Sequence, residues 1–188
     1  HLNPLQEAIQ PEGQCDFRNL FGKMGEVAAR LEVPVIAKEV GSGISATTAI
    51  ALKEEGIGII DCAGVGGTSW ALIEAARARD REIGDLFGDW GIPTPENIRQ
   101  LSRVPDLQII ASGGVRSGLD AAKALALGAD LVGMARPFLE AAVDSSEKVV
   151  EKARQVIREL RIAMFCAGSG TIDELQKVEL HRRSRGES

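Results

Sequence analysis

Apolar and polar positions follow one another along this chain in a strand-then-helix rhythm. Pro34 to Lys38 is a short apolar run that ends in a charge, with Gly41 and Gly43 just beyond. A helix then begins, with Ser45 as its expected N-cap and Gly56 as its stop. Ile57 to Asp61 repeats the pattern, Leu107 to Ser112 repeats it before Gly113-Gly114, and Asp130 to Ala135 gives a fourth strand. The helix between the last two strands is expected to be capped by Ser117 and stopped at Gly128. Such continuous apolar runs suit a parallel sheet covered on both faces.

Other helices are legible from spacing. Asp16 is the expected cap of one in which Phe17, Leu20, Met24, Val27, Ala28 and Leu31 share a face. Thr94-Pro95 starts another, with Pro at the first helical position. Asp144 followed by Glu147 resembles a capping box. It is expected to open a long helix in which Val149, Ala153, Val156, Leu160, Ala163 and Ala167 recur before Gly168. The segment from Gly64 to Ile92 is too long for a simple connection. It reads as an excursion over the active face, with a short helix from Trp70 to Ala78. His181 to Ser188 is polar and basic and is expected to fray as a disordered tail.

Four strand–helix units are present where a closed barrel needs eight. The main rival, a doubly wound open sheet, calls for an early glycine-rich dinucleotide fingerprint that this sequence lacks. The expected fold is therefore α/β, of the TIM (β/α)8 barrel family. The chain is expected to form the C-terminal half of the barrel, strands five to eight, as a single domain over 1–188.

Composition adjusts this picture only slightly. With Tyr absent and aromatics at 4% of 188 residues, packing must rest on Ala, Val, Ile and Leu. A formal net charge of −5 argues against general affinity for nucleic acid or an anionic membrane. An anionic ligand would need locally placed cations and backbone N–H groups. Cys15, Cys62 and Cys166 are odd in number and widely spaced, so a disulfide framework is not expected and a reduced cytoplasmic setting is. No signal peptide or long apolar run is visible. The chain opens on His1 rather than Met, which reads as a fragment boundary. Uncovered barrel edges would favour a homo-oligomer.

Candidate chemistry concentrates just after the strands, the active-site edge of a barrel. Two clusters stand out, Ser112-Gly113-Gly114-Val115-Arg116-Ser117-Gly118 and Gly133-Met134-Ala135-Arg136-Pro137. Glycines let backbone N–H groups approach a phosphate, and a following helix N-terminus favours an anion. The alternative is that these glycines only make tight turns; both clusters at this spacing favour phosphate. Arg116 can add a charge or pair with a surface acid. Lys38 ends a strand and can reach a ligand, or be solvated; Thr68 can bond a polyol, a phosphate or its own loop. His1, Asn3, Gln6 and Glu7 crowd four polar side chains into the opening segment. Glu7 could hold Mg²⁺, although taken alone a polar chain start is usually solvated. Asp61 reads as a structural acid and Cys62 as a small buried residue.

As a set, these motifs resemble a known family. His1-Leu2-Asn3-Pro4-Leu5-Gln6-Glu7, Lys38-Glu39-Val40-Gly41, Gly64-Val65-Gly66-Gly67-Thr68-Ser69-Trp70, Gly91-Ile92-Pro93-Thr94 and Ala111-Ser112-Gly113-Gly114-Val115-Arg116 occur in the order seen in type 2, FMN-dependent isopentenyl-diphosphate isomerases. The resemblance runs from His1 to about Cys166. It implies conversion of isopentenyl diphosphate to dimethylallyl diphosphate with reduced FMN, Mg²⁺ and NADPH as the flavin's reductant. By the same resemblance Gln6 lies beside the reacting allyl group, Glu7 is the Mg²⁺ ligand, and His1, Asn3 and Gln6 are substrate-binding. Lys38 and Thr68 match flavin contacts. Gly113, Gly114, Val115 and Arg116, with Met134 and Ala135, match the FMN phosphate cradle. At Ala63 many relatives carry Ser, so a side-chain hydrogen bond to FMN is missing.

The N-terminal half of that family's barrel is not in this sequence, so the chain alone is expected to bind FMN weakly and to be inactive. Two alternatives stay open. One is another FMN barrel, such as a hydroxy-acid oxidase or an IMP-dehydrogenase relative. The other is a non-catalytic fragment that keeps only a phosphate site.

Overall fold

The computed structural model describes residues 1–181, and the end of the expected tail lies outside them. In chain order the elements are α1 (Pro4–Ile9), α2 (Leu20–Arg30), β1 (Ile36–Lys38), α3 (Ala46–Glu54), β2 (Ile59–Asp61), α4 (Trp70–Ala78), α5 (Arg81–Phe87) and α6 (Thr94–Leu101). They continue with β3 (Gln108–Ala111), α7 (Gly118–Ala126), β4 (Leu131–Val132), α8 (Arg136–Asp144), α9 (Ser146–Cys166) and α10 (Ile172–Leu175). The four strands form one parallel sheet in the order β1-β2-β3-β4.

Burial within the strands alternates, and the alternation corrects the expectation of a sheet covered on both faces. Ala37, Ile60, Ile109 and Ala111 are buried against Ala49, Leu52, Ile98, Leu101 and Ala124 of the helices. Their neighbours Ile36 and Leu131 are 50% and 61% exposed, with Ile59 and Ile110 half-buried between them. Among the described residues, helices therefore cover one face only. The second face mixes Ile36, Ile59, Ile110 and Leu131 with Lys38, Asp61 and Gln108, and its outer apolar members find no cover among the described residues.

Local capping chemistry sets most helix ends. Ser45 accepts from Thr48 N at 3.1 Å, and Ser117 with Asp120 forms a capping box. Two expected caps are corrected. Asp16 instead closes onto Arg18, accepting from its backbone N, Nε and Nη2 at 3.1, 2.8 and 2.7 Å, and the Arg18 guanidinium draws its carboxyl down to about 2. The helix begins only after Asn19, which is left-handed at φ 55°, and Val27 and Leu31 of the expected face stay exposed. Asp144 is the last residue of α8. The extended Ser145 caps α9, accepting from Lys148 N at 3.2 Å.

Four helices went unread in the sequence, α1, α5, α8 and α10, of six, seven, nine and four residues. Their local signals are Pro4, Asp80, Pro137 and the Thr171–Glu174 capping box. No helix among the described residues is long and apolar enough to cross a membrane.

Candidate active site

The loop after β3 is built by two consecutive left-handed glycines, Gly113 at φ 95° and Gly114 at φ 80°. A Cβ on Gly113 would fall on the Gly64 carbonyl, and one on Gly114 would fall on the carbonyl of Gly66. Two backbone segments thus lie in contact with no room for a side chain. Thr94, at the start of α6, fastens both. Its hydroxyl donates to Gly113 O at 2.7 Å and its N–H to Val65 O at 3.0 Å. Among the described residues, the N–H groups of Gly113, Gly114 and Val115 meet no protein acceptor.

The amino end of α7 differs from the expected anion site. Arg116 N and Ser117 N donate to Asp120 Oδ2 at 3.2 and 3.1 Å, and Gly118 N donates to Glu159 Oε2 at 2.7 Å. Acceptors from this chain already serve that helix end. The backbone donors still free nearby are those of the Gly113–Val115 turn and the start of α8. Gly133 N donates to Ala111 O at 2.8 Å, which draws the second loop alongside the first. Beyond it Met134 and Ala135 have N–H groups without a protein acceptor among the described residues, and no side chain caps α8. Backbone N–H groups without a protein acceptor, beside glycines and a helix start, are donors of the kind that suit a phosphate. The Arg116 guanidinium donates to Gly66 O at 3.2 Å.

At the ends of β1 and β2 the site is held by acids. Lys38 and Asp61 are register partners, and Lys38 Nζ donates to Glu39 O at 2.5 Å. Glu39 is buried and folds its own loop, accepting the N–H groups of Val40, Gly41 and Ser42 at 2.6, 2.6 and 2.5 Å. Burial raises its carboxyl above the ordinary range, against the pull of those donors. Asp61 Oδ1 accepts from Ser112 Oγ at 2.5 Å and from Ala63 N at 3.3 Å. Ala63 is buried in the left-handed region at φ 37°, a strained setting for a residue with a Cβ. Cys62 is fully buried, and burial raises its thiol, which suits packing rather than nucleophilic attack.

The opening segment is no solvated chain start. Leu2 N donates to Lys38 O at 2.7 Å, which extends the sheet edge and places Asn3 in a buried position. Asn3 Nδ2 donates to Gln6 Oε1 at 3.2 Å and to Glu7 Oε1 at 2.9 Å. Glu7 Oε2 accepts from Gln10 Nε2 at 2.7 Å and Gln14 N at 2.9 Å. The Gln14 N–H, followed by Asn3, lowers the Glu7 carboxyl below its usual range. Gln6 Nε2 donates to Glu74 Oε1 at 3.1 Å.

Glu74 on α4, 2% exposed, is the site residue that sequence reasoning missed. It lies 68 positions from Gln6 inside an alanine-rich helix, where spacing gives no hint of it. A cavity of about 320 Å³ joins Gln6, Glu39, Gly66, Gly67 and Thr68. His1 is exposed and makes no hydrogen bond among the described residues, so it is not drawn into this cluster.

A parallel sheet whose strand ends carry glycine turns with free backbone N–H groups is the architecture of α/β proteins of TIM type. The FMN-dependent dehydrogenase family profile matches residues 14–182, and the chain belongs to that family. Among individual proteins it is similar to isopentenyl-diphosphate delta-isomerases. It is 56% identical to that of Synechococcus sp., over 90% of this chain and 50% of the relative. It is 51% identical to that of Halobacterium salinarum, over 98% of this chain and 53% of the relative. The chain thus spans about half the length of these relatives.

Solved structures agree on the fold. A mandelate oxidase with benzoyl-formic acid matches 85% of this chain and 42% of its own, at TM-score 0.64 and 23% identity. A GMP reductase from Trypanosoma brucei matches 87% of this chain and 38% of its own, at TM-score 0.65 and 25% identity.

Proposed function

We propose that this chain is the C-terminal half of an FMN-dependent barrel that isomerises isopentenyl diphosphate to dimethylallyl diphosphate. The half-length match to the isomerases and the exposed Ile36 and Leu131 of the sheet support the half-barrel reading. The observation that carries the reaction is the placement of the Gln6 amide. It is held between Asn3 and the buried Glu74, at a cavity shared with the Gly66–Thr68 loop.

Moving the double bond requires one proton added to carbon and another removed, with no net oxidation. Reduced FMN, when bound, supplies that proton exchange, and NADPH keeps it reduced. The chain's own residues position and exclude. Gly113, Gly114, Val115, Met134 and Ala135 hold the FMN phosphate through backbone N–H groups, Arg116 adds charge at the rim, and Lys38, Ala63 and Thr68 line the flavin. Gln6 orients the allyl group, while His1 and Asn3 serve the diphosphate. The Glu7 carboxylate accepts three hydrogen bonds from this chain, which leaves one of its roughly four acceptor sites for Mg²⁺. Water and diphosphate oxygens complete a shell of that kind.

The test uses the full-length parent with FMN, NADPH and Mg²⁺, assayed for dimethylallyl diphosphate. Gln6→Ala should lower kcat about 100-fold or more at little cost to FMN affinity. Equal loss of both would make Gln6 structural, and hydroxy-acid oxidation by the parent would replace the isomerase reading. The isolated chain should bind FMN weakly and give no turnover; robust turnover by it would overturn the half-barrel reading.

A further inference from the structure

The hydrogen bonds around Gln6 do not stop at Glu74. Arg77, one turn further along α4, donates from Nη1 to Glu74 Oε2 at 2.5 Å and from Nη2 to Glu12 Oε1 at 2.7 Å. Glu12 belongs to the tight loop after α1, in which Gly13 N donates to Gln10 O at 3.1 Å and Gln14 N donates to Glu7 at 2.9 Å. A continuous circuit results: Glu12, Arg77, Glu74, Gln6, Asn3, Glu7 and back into the loop through Gln14. Donors and acceptors alternate at each step. If the Gln6 amide turned over, its Nε2 would meet the Asn3 amide nitrogen and its Oε1 would meet Glu74 Oε1. Gln6 therefore has one orientation only while Glu74 stays fixed, and Arg77 is the cation that fixes it.

We propose that Arg77 is a positioning residue for the isomerase reaction, which locks the Gln6 amide in its working orientation by clamping Glu74 and the Glu12 loop together. This rests on the role given to Gln6 above. It adds that the excursion helix α4 works as a brace for the opening segment. Nothing in the sequence joins Arg77 to Gln6, since the pairing depends on α1 docking on α4. Arg77 is half exposed and touches neither the cavity lining nor the phosphate cradle, so its effect passes through Glu74.

The experiment compares Arg77→Met, Arg77→Lys, Glu12→Gln, Gln6→Ala and the Arg77→Met/Gln6→Ala double variant in the full-length protein. Arg77→Met should lower kcat about 30-fold while KM and FMN affinity stay within about threefold. Arg77→Lys should recover most of that loss. Glu12→Gln, which opens only the exposed half of the clamp, should cost less than about threefold. The double variant should be no slower than Gln6→Ala alone, because both act on one amide.

An unchanged kcat in Arg77→Met, additive losses in the double variant, or joint loss of FMN and kcat without rescue by Lys would each overturn the proposal. Amide hydrogen exchange separates it from the Gln6 assignment. Arg77→Met should speed exchange at Gln10 and Gln14 about tenfold and leave the Ala122–Ala126 amides of α7 unchanged. If Gln6→Ala keeps full turnover, the reading of Gln6 fails. Faster exchange confined to the opening segment would then still uphold the clamp, and unaltered exchange would refute it.

Discussion

The proposed phosphate cradle and the Gln6 cluster lie at the same edge of the sheet and are built by opposite means. The cradle is backbone: left-handed Gly113 and Gly114 pressed against Gly64 and Gly66, and the amino end of α8. The Gln6 cluster is side chain: an amide, a second amide and carboxylates from two segments far apart in sequence. A backbone site is fixed wherever the chain lacks a Cβ and can take a positive φ. A side-chain site exists only after two elements dock and every donor finds its acceptor. Substitutions should therefore break the first through sterics and the second through lost pairing.

The largest effect is expected at the cradle. Gly114→Ala places a methyl group on the Gly66 carbonyl and in an unfavourable φ, at a cost of roughly 3 kcal/mol or more. Urea denaturation of the isolated chain measures it, and a loss under about 1 kcal/mol would show that the two loops can part freely. Thr94→Val comes next. It strips Gly113 O of its hydroxyl donor and should cost about 2 kcal/mol while weakening FMN binding by the parent. Intact FMN affinity would mean that the cradle keeps its shape without that fastening.

Asn3→Ala touches the other region. It removes the donor shared by Gln6 and Glu7, so about 1 kcal/mol of stability should go, with turnover of the parent falling and FMN affinity unaltered. An equal fall in FMN affinity would merge the two regions into one site.

The smallest effect is a pH dependence at Glu39. Its folded-state pKa lies above the unfolded one, so the native state binds more protons and stability declines as pH rises through that window. Relative to Glu39→Gln, the wild-type chain should lose stability from about pH 4.5 upward and level off above its raised pKa. A difference of the opposite sign would show that the three loop N–H groups outweigh burial.

Local chemistry made much of this molecule legible. Ser45 and Ser117 mark helix ends because each cap bond closes within a few residues, and Thr94-Pro95 marks one because Pro fixes its own φ. Gly113 and Gly114 announced a backbone site for the same reason: a missing Cβ acts on its own residue. Asp16 and Asp144 misled because a nearer competitor took the role, Arg18 in one case and Ser145 in the other. The six-residue α1 and four-residue α10 carried too few turns for a periodic signal.

The sequence by itself therefore determined the strands, the Ser45 and Ser117 caps and the glycine turns, along with the type of fold they build. Only the tertiary structure decided that Glu159 reaches the amino end of α7, and that a buried glutamate on α4 meets Gln6. It also decided which face of the sheet the helices pack, leaving Ile36 and Leu131 of the other exposed among the described residues. The division has a single physical reason. Conformational preference acts within a residue or a turn, whereas pairing and burial belong to whichever surfaces the finished fold brings together.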